Sequence, residues 1–252
     1  MLKEIRVLKS HGRQHIRNLR SAAVSSLFRG RPVISGDIKK DEISLVSAVC
    51  PGGAFNTATG SIDLGKCLFC GECAFLLPGK IRFTNDYRLA VNRRDDLIIN
   101  PGVDVPLKVD EKHVRQEVRT RFRRALKLRQ VSAGGDNSCE MELAATCNVN
   151  FDFGRHGVEF VASPRHADGI VITGPLTANM SEALEICYDA VPDPRIIILA
   201  GTDAISGGMF SSSPALKRHF IEKRVIDLYI PGNPVHPLAF INGVMDMLGI
   251  YK

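Results

Sequence analysis

The 252 residues are 44% hydrophobic and 24% charged, with a formal net charge of +6, a balance that excludes an intrinsically disordered chain. No apolar run approaches the ~18 residues of a membrane span, and the N-terminus lacks the core of a secretory signal, so the expectation is a cytoplasmic or membrane-peripheral protein. Seven cysteines without such a signal argue for metal ligation in a reducing compartment, not a disulfide framework.

Residues 1–32 read as a basic amphipathic N-terminal helix. Lys3, Arg6, Lys9, Arg13, Arg17, Arg20, Arg29 and Arg31 stand against the single acid Glu4. Leu2, Ile5, Leu8, Ile16, Leu19, Ala23 and Leu27 make a loose helical stripe beside them, and Gly30-Arg31-Pro32 supplies the stop. Such a helix suits an anionic membrane surface or a partner subunit; a solvated charged face is the plain alternative. A second basic block runs from Lys112 to Arg129. Nucleic acid is the first ligand such blocks suggest, but aromatic interleaving is nearly absent, tryptophan is missing and no nucleic-acid motif occurs. Nucleic acid is set aside as a partner.

Residues 33–100 form a module with short strands expected at Ile81–Phe83 and Leu89–Val91. Its information lies in Cys50, followed by Pro51, and in the C-x-x-C-x-x-C run of Cys67, Cys70 and Cys73. Three thiolates at that spacing wrap one face of an iron–sulfur cube, and a remote Cys-Pro closes the fourth corner. Zinc is the alternative, but zinc ribbons pair two separated C-x-x-C knuckles, which this pattern does not match. A two-centre arrangement would carry further cysteines at 40, 43, 46 and 77, where the sequence has Lys40, Ile43, Val46 and Leu77. Because the last cysteine of each run ligates the other centre, all four losses fall on one centre and all four survivors on the other. The expectation is one [4Fe–4S] cluster on Cys50, Cys67, Cys70 and Cys73.

A connecting segment over 101–130 comes next, opened by Asn100-Pro101-Gly102 and continued by a basic helix predicted over Val114–Leu128. Residues 131–252 alternate apolar β-branched runs (Val158–Ala162, Gly169–Thr173, Arg195–Ala200, Ile226–Ile230) with helical stretches (Ser181–Ala190, Pro214–Lys223, Pro237–Leu248). This predicts an open parallel sheet with sites at the carboxyl ends of its strands. The loops there are glycine-rich, but none matches a dinucleotide or phosphate-binding fingerprint. The seven histidines show no metal spacing.

Phe28-Arg29-Gly30-Arg31-Pro32, the run Asp63–Cys73 and Phe83-Thr84-Asn85 resemble the ferredoxin-type subunit of complex I and of formate hydrogenlyase-type hydrogenases. The second half resembles the electron-transferring small subunit of membrane-bound [NiFe] hydrogenases and its complex I counterpart, through Arg129–Glu142, the run 161–168, Thr173-Gly174-Pro175, the run 204–210 and Tyr229-Ile230-Pro231-Gly232. The resemblance implies a fusion of two subunits: an α+β ferredoxin-like module followed by an α/β flavodoxin-like open parallel-sheet domain. It also implies a second, proximal cluster at positions that here hold Asp136, Cys139, Asp203 and Asn233, of which only Cys139 is a thiolate. Three outcomes stay open there: no centre, a hard divalent-metal or degraded site, or a cluster completed by a partner or by Cys147. The family places Glu142 in proton transfer, and Arg165 and His166 at the large-subunit interface; a helix-start acid and a strand-end loop pair are the structural alternatives.

The resemblance therefore implies an iron–sulfur electron-transfer subunit of a membrane-associated complex I-like or [NiFe]-hydrogenase-related complex, with no active site of its own. Its partners would be a large catalytic-type subunit and membrane subunits, on the inner face of the cell membrane. The alternative is an adaptor subunit whose cluster is structural or sensing.

Overall fold

A computed structural model describes residues 2–12 and 14–250. Among the described residues, helix α1 (Leu2–His11) is the only helical part of the basic N-terminal segment. Arg13 of the predicted helix lies outside the described residues. Gly12, at φ +60°, ends α1, well short of the expected stop at Gly30. Beyond it the chain becomes an irregular arm laid along the second half: Ile16 N–H donates to the Asn150 carbonyl at 2.8 Å. Leu19 is buried, and its carbonyl accepts from Tyr87 Oη at 3.0 Å and Asn242 Nδ2 at 2.9 Å. Tertiary contacts to Leu19 thus override the helical stripe beyond residue 11.

The cysteine-bearing stretch is built from short elements. Strand β1 (Pro32–Ile34) leads to helix α2 (Lys40–Val49), whose first turn is closed by the Glu42 carboxylate accepting from Lys39 N–H at 2.7 Å. Strand β2 (Ile62–Asp63), helix α3 (Glu72–Leu76), strand β3 (Ile81–Phe83) and strand β4 (Ile98–Ile99) complete it. β1 pairs antiparallel with β3, and β2 with β4. The expected strand at Leu89–Val91 is reduced to one bridge, in which Val91 exchanges backbone hydrogen bonds of 3.0 and 2.8 Å with Tyr229.

Helix α4 (Gln116–Arg121) is shorter than the predicted basic helix, because Leu126–Ser132 is strand β5. Helix α5 (Ser138–Ala145), strand β6 (Val158–Phe160), strand β7 (Gly169–Thr173), helix α6 (Ala178–Asp189) and strand β8 (Ile196–Ala200) come next. Helix α7 (Thr202–Ser206), helix α8 (His219–Glu222), strand β9 (Leu228–Ile230) and helix α9 (Pro237–Leu248) complete the order. The five strands β5–β9 form one parallel sheet ordered β6-β5-β7-β8-β9, the doubly wound flavodoxin-like order. The predicted helix over Pro214–Lys223 contracts to α8.

Alternation along the strands divides the core. Leu128, Val171 and Ile198 face α9, whereas Val131, Ile172 and Leu199 face the other way and share one apolar cluster with Ile34, Val46, Leu64 and Leu77 of the cysteine-bearing stretch. The sheet therefore forms one wall of that stretch's core. Arg115, in the connecting segment, grips Asp227 with two bonds of 2.7 and 3.0 Å and the Arg195 carbonyl at 2.7 Å, holding the junction to the sheet edge.

Truncating Leu128, fully buried in β5, to alanine is expected to cost about 2–5 kcal/mol. Truncating exposed Ile186 should cost under ~0.5 kcal/mol. Urea unfolding of the two variants measures the difference.

Candidate functional site

Cys50 caps the C-terminus of α2, Cys67 and Cys70 lie on the loop that enters α3, and Cys73 is in the first turn of α3. All four line one cavity, with Val46, Phe55, Ile62 and Phe83 as its apolar wall. The loop turns twice through left-handed backbone, at Phe69 (φ +53°) and Gly71 (φ +87°), so that its thiols point to one side. Gly52 has a steric role: a Cβ there would sit 2.3 Å from the Lys66 carbonyl oxygen, so only glycine lets the Cys50-Pro51 turn lie against the second cysteine segment.

Backbone N–H groups of Phe69 and Ala54 donate to the Cys67 and Cys50 sulfurs, each at 3.3 Å. Burial pushes the Cys67 thiol up to about 12, with the other three cysteines adding to the shift, and Cys73 up to about 11. The set is soft, anionic when ionised, and shielded from water on one side, with Cys70 exposed. Among the described residues no group of three or more His, Cys, Asp or Glu side chains is close enough to hold a metal ion. A donor set of four thiols around a cavity, with N–H groups already aimed at two sulfurs, fits a polynuclear iron–sulfur group.

The cysteine loop is clamped from two directions. Arg94 bonds both Asp63 oxygens at 2.8 and 2.7 Å, and Asp63 Oδ1 also accepts Gly65 N–H at 2.8 Å. From the parallel sheet, buried Thr202 donates its hydroxyl to the Cys67 carbonyl at 2.8 Å. On the other side, Arg29 Nε donates to the Phe69 carbonyl at 2.6 Å. Arg29 and Phe69 then line a second cavity of about 250 Å³ with Glu142, Asn233 and His236. Burial raises the Glu142 carboxyl and lowers the His236 imidazole, whose Nδ1 accepts Leu238 N–H at 3.1 Å.

Asp136, Cys139, Asp203 and Asn233 sit at the carboxyl end of the sheet, on loops after β5, β8 and β9 and the start of α5. Each has its own immediate surroundings, and Asp136, Cys139 and Asp203 are near enough to feel one another's charge. Asp136 is exposed and accepts from Ser138 N–H and Oγ at 2.9 and 2.6 Å, which holds its carboxyl below the usual range. Cys139 is buried against Gly201, where a Cβ would lie 2.6 Å from its sulfur, and burial pushes its thiol to about 12. Asp203 packs on Gly208 and is raised by burial, with the Asp136 charge adding. Asn233 is exposed. Cys147 lies in the turn beyond the end of α5 and is exposed, whereas Cys139 is buried. One thiol, two carboxylates and an amide are not the soft donor set that a thiolate-ligated cluster selects. Arg165 and His166 are exposed on the turn after β6 and line neither cavity.

Residues 137–247 match the family described as NADH ubiquinone oxidoreductase, 20 Kd subunit. The probable membrane-bound hydrogenase subunit mbhJ of Pyrococcus furiosus is 36% identical over 115 residues, covering 46% of this chain and 69% of that protein. The chain belongs to this family. Formate hydrogenlyase subunit 7 of Escherichia coli is 34% identical over 153 residues, covering 60% of each chain. NAD(P)H-quinone oxidoreductase subunit K of Picosynechococcus is 39% identical over 114 residues, covering 45% of this chain and 47% of that protein. The chain thus spans less than two thirds of these last two relatives. The family comprises iron–sulfur-binding subunits of oxidoreductase complexes. Its matched region begins after the four cysteines of residues 50–73, which the family match leaves outside.

Sequence reasoning missed Thr202, Arg94 and Arg218. Arg218 donates to the carbonyls of Pro175, Asp203, Ala204 and Ile205 at 2.8–3.2 Å, and burial lowers it to about 10. Their partners are backbone carbonyls or a distant carboxylate, which no local motif announces.

In the iron-free protein, a raised thiol pKa leaves little thiolate until the pH approaches that value. Alkylation at pH 8 should therefore reach exposed Cys147 and Cys70 first and Cys67, Cys73 and Cys139 last. Raising the pH should narrow the gap. Peptide mapping by mass spectrometry reads the order.

Proposed function

We propose that the chain is an electron-transfer subunit of a membrane-associated complex related to complex I and [NiFe] hydrogenases, holding one [4Fe–4S] cluster on Cys50, Cys67, Cys70 and Cys73. The observation that carries this reading is the single cavity lined by all four cysteines, in a chain of an oxidoreductase-subunit family. When bound, the cluster would supply a one-electron store. The protein's part is to bury the thiolates, donate N–H groups to two of them and keep Cys70 near solvent. The module around it reads as ferredoxin-like and the whole as a fusion of two subunits. Val46 and Leu77, at positions where spacing puts ligands of a second centre, are buried in the apolar core, which supports a single centre.

The partners are a large catalytic-type subunit and membrane subunits of the same complex, with this chain peripheral on the inner face of the membrane. Among the described residues no helix is long and apolar enough to cross a membrane, which agrees with that placement. A second reading, a non-conducting adaptor with a structural or sensing cluster, draws on the donor-poor set Asp136, Cys139, Asp203 and Asn233, which would leave no second relay. If Cys67→Ala removes the iron from the assembled complex yet leaves its turnover intact, the adaptor reading replaces the electron-transfer one.

Anaerobically purified protein is expected to contain about four irons and four sulfides per chain, with one non-interacting EPR signal after dithionite reduction. Cys67→Ala should abolish that signal and lower stability, because binding energy of the group is partly folding energy. Asn233→Cys alone should add no iron. A second, interacting signal in the native protein would overturn the single-cluster assignment.

A further inference from the structure

We propose that Thr202 is a positioning residue for the cysteine loop and sets the redox potential of the centre held there; the inference rests on the cluster assignment above. It starts from one buried hydrogen bond between residues 135 positions apart, Thr202 Oγ1 to the Cys67 carbonyl at 2.8 Å. Thr202 is 1% exposed and fixed on its own side of the seam. Its N–H donates to the Gly232 carbonyl at 2.8 Å, and its carbonyl accepts the Ser206 hydroxyl at 3.1 Å. The hydroxyl is the group that reaches across. The two segments pack closely beside it: a Cβ at Gly65 would lie 2.8 Å from the Ile205 side-chain atom Cγ2.

The physical consequence concerns charge. Reduction adds an electron to a centre ringed by four thiolates, in an interior where dipoles act with little screening. The Cys67 carbonyl presents partial negative charge near that centre, and the Thr202 hydroxyl proton offsets it. Potentials of iron–sulfur centres respond to nearby hydrogen bonds and burial. Removing the hydroxyl leaves the carbonyl's negative end uncompensated, so the reduced state is disfavoured and the potential falls. Valine in place of threonine keeps the shape and deletes the donor; serine keeps the donor and deletes a methyl group.

The test is an EPR-monitored redox titration of the full chain, with iron counted in each sample, for the native protein, Thr202→Val and Thr202→Ser. Thr202→Val is expected to hold its iron and to show about a tenfold lower reduced-to-oxidised ratio at a fixed potential, which is about 59 mV for a one-electron couple. Thr202→Ser should titrate like the native protein. An unchanged or raised potential in iron-replete Thr202→Val overturns the inference. Should Thr202→Val lose its iron, Thr202→Ser decides. Full iron with the native potential then supports the hydroxyl's role, and lost iron or a lowered potential overturns it. A native protein without a cluster would remove the assignment beneath this inference, whereas a native cluster indifferent to Thr202→Val would remove the inference alone.

Discussion

Four thiols held around one partly buried space are the constraint on which the rest of the structure depends. Ionising them together without a cation is prohibitive: burial and their mutual repulsion already push Cys67 to about 12 and Cys73 to about 11. The surroundings supply what such a set needs when it is ionised, through N–H groups aimed at Cys67 and Cys50 and a loop bent through left-handed turns at Phe69 and Gly71. Strands of two or three residues cannot hold this geometry unaided. That explains why the cysteine-bearing stretch shares its core with the sheet and why Arg94 and Thr202 pin the loop from both halves.

The carboxyl end of the sheet provides an internal contrast. There several polar groups are paired locally: Asp136 with Ser138, Glu140 with the Thr173 hydroxyl at 2.6 Å, and the backbone carbonyls of Ala204 and Ile205 in α7 with Arg218. Cys139 packs on Gly201 as a small apolar group. Buried polar groups stabilise a fold when they are paired locally, and become ligands when they are aimed together at a common space. The two sites in this chain show one arrangement each. Burial still leaves Asp203 with a raised pKa, a residue of the acidity that local pairing does not neutralise.

The sheet was legible because its central strands are continuous apolar runs: Gly169–Thr173 is recovered in full, and α9 likewise, from Pro237 to Leu248. Spacing along the chain also pointed to four cysteines that the fold brings to one cavity. The failures share another cause. Leu126–Ser132 carries Lys127 and Arg129, which made β5 look like the tail of a basic helix, although Leu126 and Leu128 are buried on one face and Val131 on the other. Beyond Gly12 only Ile16 and Leu19 of the N-terminal stripe pack on another part of the chain, while Ala23 and Leu27 are exposed, and the periodicity of a sequence does not say which partner an apolar residue meets. Thr202 was invisible for the same reason, since its hydrogen-bond partner is a backbone carbonyl 135 residues away.

The aliphatic residues at positions 46 and 77 bear on what the proposed centre is for. Val46 is fully buried and Leu77 nearly so, both in the core that joins the cysteine-bearing stretch to the sheet. Apolar burial of that kind contributes folding energy without any metal, about 1.5–3 kcal/mol for each side chain fully buried. The buried face of α2 is therefore held by packing, and the sheet supplies the opposite wall. A stretch with this much apolar support has less need of a metal staple than a small isolated module would. On the proposed reading, the four-thiol set, with two sulfurs receiving N–H donors and one thiol left near solvent, would serve redox work more than structural support.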